Sequence, residues 1–133
     1  MTLTCRRVTV VTIHCPVAPE TLALLLGGDG AALERDPTAA AILAVIRADN
    51  PLGDFGLYHG VCEIGLGWES FTPSPDAAPT LGHAGQAALS PTVILKTYAP
   101  AGADIDEALA ALIAAHPWEI PVIELAEVDL LVR

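Results

Sequence analysis

The stretch Ala115-His116-Pro117-Trp118-Glu119-Ile120-Pro121-Val122-Ile123-Glu124-Leu125 decides how the C-terminal part of this chain folds. An Ala- and Leu-rich segment precedes it and an apolar tail follows. Pro117 has no N–H to continue a helix, and it pushes the residue before it out of the α region. The helix therefore stops at about His116. Pro121 then sets an extended entry into a strand. Between the two prolines the chain presents an imidazole, an indole and a carboxylate on a rigid corner. Two readings stay open. The corner is a connector that packs Trp118, or it carries a site built on His116, Trp118 and Glu119.

Upstream, Asp104–Ala115 reads as a helix. Asp104-Ile105-Asp106-Glu107 has the pattern of a capping box, with acids where the helix dipole favours them. Ile105, Leu109, Leu112 and Ile113 form one apolar face. Downstream, Val122–Val132 reads as the last strand, and Thr92–Tyr98 as another. Thr72–Pro91 holds four prolines and two glycines. It is a long loop of the kind that is often functional, and His83 lies in it.

Gly56–Leu66 reads as a strand, with Gly67–Phe71 as its partner across a tight connection at Gly65 and Gly67. On such a strand Tyr58 and Cys62 share one face and His59 takes the other. That separation weakens a local His/Cys metal site. Arg7–Cys15 is rich in β-branched residues and apolar on both faces, as in a central strand. His14 and Cys15 then point to opposite faces. Pro19–Leu26 and Pro37–Ala48 read as helices with proline in the first turn, the second capped by Asp36. Ile42, Val45 and Ile46 give the second helix its apolar stripe. Gly27-Gly28-Asp29-Gly30 is a helix break; it lacks the Gly-Lys-Ser/Thr ending of a phosphate loop. The order is strand, helical region, three strands, helix, strand; with the second pair taken as a hairpin with a broken partner, it predicts an α+β, ferredoxin-like βαββαβ sandwich with an extended first crossover, a single domain over residues 1–133.

The chain has 133 residues, 53% of them hydrophobic, which is enough for a usable core and argues against disorder. Its net charge is −10, with only six Lys and Arg. Nucleic acid is excluded as a partner, because a polyanion needs clustered cations. No apolar run is long enough for a membrane span, and no signal peptide is legible, so the expected location is cytoplasmic. Cys5, Cys15 and Cys62 are odd in number and form no CxxC, which speaks against a disulfide framework or a structural zinc.

His116-Pro117-Trp118-Glu119-x-Pro121, after a helix and before a final strand, resembles two related families. One is CutA, the divalent-ion tolerance proteins. The other is the YqfO-type domain inserted in the NGG-interacting-factor-three proteins. Trp118 replaces the usual Tyr. Ile120 stands where the YqfO type often has a second Glu, which leans toward CutA. Gly56–Cys62 is similar to a Gly-x-Tyr-Ser-His-Cys strand of the YqfO type, with His and Cys in another order. Gly67–Pro73 resembles its Gly-x-Gly-x-Phe-x-Pro hairpin. The resemblance spans roughly residues 55–125; residues 27–50 match neither family.

The resemblance implies a ferredoxin-like fold assembled as a homotrimer, with the last strand and the long hairpin pairing between subunits and ligands held at subunit clefts. On that basis His116, Trp118, Glu119, Tyr58 and His59 are the candidate ligand-binding residues. His59, His116 and Glu119 are the candidate ligands of a divalent metal ion, the one cofactor considered. No nucleophile elbow and no His-Glu-x-x-His occurs, so the chain reads as a binding or regulatory module for a small molecule or metal ion. The alternatives are a domain related to metal-dependent hydrolases and a purely structural oligomerisation domain.

Overall fold

The computed structural model describes residues 2–133. Its elements are β1 (Thr4–Pro16), α1 (Pro19–Leu26), α2 (Ala32–Arg35), α3 (Pro37–Arg47), β2 (Cys62–Phe71), β3 (Ala88–Pro100), α4 (Asp106–Ala115) and β4 (Ile123–Val132). The strands form one antiparallel sheet in the order β2-β3-β1-β4. This is the α+β, ferredoxin-like plan that the order of elements predicts. The first crossover holds three helices, which is its extension.

Alternation along β1 builds two layers. Val11, Ile13 and Cys15 face the helices and join Leu22, Leu33, Ile42, Leu43, Ile46, Val93, Leu95 and Leu112 in the main core. On the other face Val8, Val10 and Tyr98 form a smaller cluster, with Phe55, Val128 and Leu130 against it. The segment after α3 therefore packs on this second face: Arg6 stacks over the Phe55 ring at 4.9 Å and donates to the Asp54 carbonyl. Gly53 is required there. Its φ is +67°, and an added Cβ would lie 2.6 Å from the Val61 nitrogen.

Asp36 organises the crossover. Its buried carboxylate caps α3 through the amides of Thr38 and Ala39. It also accepts from the Ala18 amide and the Thr21 hydroxyl, so it ties the start of α1 to the start of α3. Four donors on one carboxylate satisfy a group that would be costly to bury alone.

Three sequence expectations are corrected. Gly56–Leu66 is not a strand paired with Gly67–Phe71. Gly56 and Gly60 take positive φ and turn the chain, whereas Gly65 and Gly67 are extended within β2, whose partner is β3. The break at Gly27–Gly30 stands as expected, and beyond it lies an extra turn, α2, clamped to α3 by two hydrogen bonds from Arg47 to Glu34. The capping box of α4 does not form: Asp104 accepts from the Asp106 amide, and Ile105 occupies the cap position without a side-chain bond. Ile113 is 59% exposed; Ala108 takes its place beside Ile105 and Leu112 on the buried face.

Candidate functional site

The corner after α4 is held from inside by His116. Helix α4 ends at Ala115, and His116 leaves it extended at φ −78°, ψ 130°, as the following proline demands. The ring turns inward and is 6% exposed. Its Nε2 lies 2.8 Å from the His14 carbonyl oxygen, and its Nδ1 is 3.2 Å from the Trp118 amide nitrogen. A carbonyl can only accept and an amide N–H can only donate. Nε2 therefore carries the proton, and Nδ1 is the acceptor. Both nitrogens are engaged, so the one free lone pair of the ring, on Nδ1, is spent on the Trp118 amide. His116 locks α4 and the corner to the end of β1.

Trp118 and Glu119 project from the locked corner toward the long loop 72–87. Trp118 is half-buried and meets Phe71 edge to face, with centroids 4.9 Å apart at 63°. This contact fixes the indole against the end of β2. Glu119 Oε1 accepts from the Ala78 amide at 2.7 Å, and the Thr80 hydroxyl donates to the Pro117 carbonyl at 3.0 Å. The loop also closes on itself, the Gly85 amide donating to the Pro73 carbonyl. Gly82 sits at φ +94°, where an L side chain is strained, and an added Cβ would lie 3.2 Å from the Ala88 Cβ.

These contacts leave a cleft of about 440 Å³ between the end of β2, the loop and the corner. Phe71, Trp118, Pro73, Pro79, Leu81 and Ile120 supply its apolar walls. Its ionisable lining groups are Glu69, Asp76 and Glu119. Glu69 is steadied from the sheet: its Oε1 lies 3.6 Å from His14 Nδ1, while Glu124 Oε1 lies 3.4 Å from His14 Nε2. The two carboxylates approach opposite ends of one ring, so they do not converge on a common point with it.

The candidate residues divide into two places. His116, Trp118 and Glu119 come together at the corner. Tyr58 and His59 lie in the turn after α3, largely exposed, with His59 Nδ1 3.5 Å from Asp54 Oδ1. That turn meets β1 at Arg6, eight residues from the His14 that holds the corner. At the rise of an extended strand this is about 26 Å. Within one chain His59, His116 and Glu119 do not form a common group. Among the described residues, no three or more His, Cys, Asp and Glu side chains are placed to hold a metal ion.

The walls that the corner lacked in sequence come from the other side. Phe71 and Pro73 belong to the hairpin motif already noted by resemblance, and Pro79 and Leu81 to the proline-rich loop. Periodicity gave no signal for Glu69 as a lining group, because its neighbours on the cleft are distant in sequence.

The sequence matches no family model, and no curated protein matches it. Among solved structures, a Bacillus cereus protein related to NIF3 is similar in fold, with a TM-score of 0.64 and 17% sequence identity. The match covers 96% of this chain and 27% of that one, so this chain spans about a quarter of that protein's length. At this identity the likeness concerns the fold alone. The fold is the one that the resemblance implies. No helix among the described residues is long and apolar enough to cross a membrane.

Proposed function

We propose that this chain is a binding module that takes a small organic molecule in the cleft between Phe71, the 72–87 loop and Trp118. The observation that carries this reading is the cleft itself. Its volume of about 440 Å³ falls in the range of small-molecule pockets, and an apolar lining with a few polar groups is what such pockets have. A small molecule is favoured over a divalent ion as the ligand, because His116 spends both ring nitrogens inside the fold.

Assembly as a homotrimer is part of the proposal. Both sheet edges, β2 and β4, carry large apolar side chains in water: Ile64, Leu66 and Trp68 on one, Leu125, Leu131 and Val132 on the other. An open apolar edge invites pairing with another strand. Pairing the β2 edge of one copy with the β4 edge of the next uses both edges, and it closes if three copies form a ring.

The chain has two tryptophans, so Trp68→Phe leaves Trp118 as the sole reporter. A diverse fragment set titrated into that variant should contain molecules that shift Trp118 emission, and calorimetry should show no binding of these molecules to Trp118→Ala. If no fragment perturbs Trp118, the cleft is not a binding site. Light scattering at micromolar concentration should give the mass of three chains, and a stable monomer would overturn the trimer.

A further inference from the structure

We infer that the ligand of this cleft is an organic cation with an apolar body, such as an aryl- or alkylamine. The inference rests on the cleft reading above and adds the chemical class. Every ionisable side chain lining the cleft is a carboxylate: Glu69, Asp76 and Glu119. Among the described residues, no cationic side chain lines it. Arg7, Arg35 and Arg47 are drawn into ion pairs elsewhere, with Glu127 and Asp129, with Asp29, and with Glu34. Arg6 sits over Phe55 and Lys96 over Tyr98. The whole chain carries a net charge of −10, so the field at the mouth has the same sign as the lining. An anionic ligand would meet uncompensated repulsion; a cation would be drawn in.

The walls sharpen the choice. A bare inorganic ion gains nothing from Phe71, Pro79, Leu81 and Ile120, and the three carboxylates stand apart on β2, the loop and the corner. An organic body fills the apolar walls and excludes water. Its charged end then lies over the indole of Trp118 or the ring of Phe71, whose π faces attract cations. Glu119 spends Oε1 on the Ala78 amide, which fixes the carboxylate and leaves Oε2 as a positioned acceptor. Glu69, steadied by His14, is a second acceptor at the sheet end of the cleft.

The test sorts fragments by charge on a constant skeleton, using the fluorescence of Trp118 in Trp68→Phe. The probes are 2-phenylethylamine, 2-phenylethanol and 3-phenylpropionate, run beside the diverse fragment set. The amine should bind about tenfold or more tightly than the alcohol, with the carboxylate weakest, as expected for a cation desolvated between π faces and carboxylates. Added salt should weaken the amine and leave the alcohol unchanged. Glu69→Gln combined with Glu119→Gln should remove most of the amine's advantage while circular dichroism stays native. If fragments perturb Trp118 but cations hold no advantage, the cation inference falls and the cleft reading stands. If nothing perturbs Trp118, both fall.

Discussion

The Nε2 of His116 donates to the backbone carbonyl of His14, 102 residues earlier in the chain, at 2.8 Å. This bond fastens the end of α4 to the end of β1. It orients the two residues that follow, because the same ring accepts the Trp118 amide. Replacing His116 by Ala leaves a buried carbonyl and an amide without partners and a small void. We expect a loss of roughly 2–4 kcal/mol in urea unfolding, the range for an unpaired buried group plus a cavity. An unchanged midpoint would show that the ring is dispensable.

Trp118 is only half-buried, so its removal costs less than that of a core indole. We expect Trp118→Ala to lower stability by about 1–2 kcal/mol, mostly the edge-to-face contact with Phe71 and the apolar area lost with it. Pro117→Ala should cost less again, because it only relaxes a helix end. Thermal melts of the two variants against wild type decide the order. A reversal would mean that the proline, rather than the indole, shapes the corner.

Glu119 holds the loop through Ala78. Glu119→Gln keeps an oxygen acceptor and should leave the loop in place. Glu119→Ala should release it, at about 0.5–1.5 kcal/mol for an exposed hydrogen bond. Hydrogen exchange at residues 76–80 reads this directly: exchange should quicken in Glu119→Ala and stay close to wild type in Glu119→Gln. Equal protection in all three proteins would show that the bond does not order the loop.

Alkaline pH should destabilise the fold. Burial, aided by the negative charge of Asp36, pushes the Cys15 thiol from 9.0 up to about 12. Burial also pushes Cys62 up to about 11, and burial with the Glu63 hydrogen bond pushes Tyr98 up to about 12. Above about pH 9 these groups ionise in the unfolded chain, while the folded chain keeps their protons. The unfolded state then binds fewer protons, and stability falls as pH rises. Urea midpoints should decline progressively from pH 9 toward 11, and less steeply in Cys15→Ala. Equal slopes for the two proteins would show that Cys15 ionises freely in the fold.

The elements that local chemistry specifies were legible in the sequence. Pro37 after Asp36 marks the start of α3, because a capping carboxylate and a fixed φ act within one turn. Pro117 ends α4 for an equally local reason. Alternation in β1 sends His14 and Cys15 to opposite faces whatever the fold. The glycines of 56–67 were misread, since a glycine is equally at home in a strand or a turn. Only the pairing of β2 with β3 and the close approach of Gly53 to Val61 decide which glycines turn. The corner could be read as rigid and polar-tipped from its two prolines. That His116 points inward, that Glu119 meets Ala78, and that Phe71 faces Trp118 depend on contacts between segments far apart in sequence. Sequence therefore determined the corner, the positions of α1, α3 and α4 and the ferredoxin-like order. The tertiary structure alone decided that the corner and the long loop enclose a cleft lined by carboxylates, because a cavity belongs to the packing of distant segments and to none of them separately.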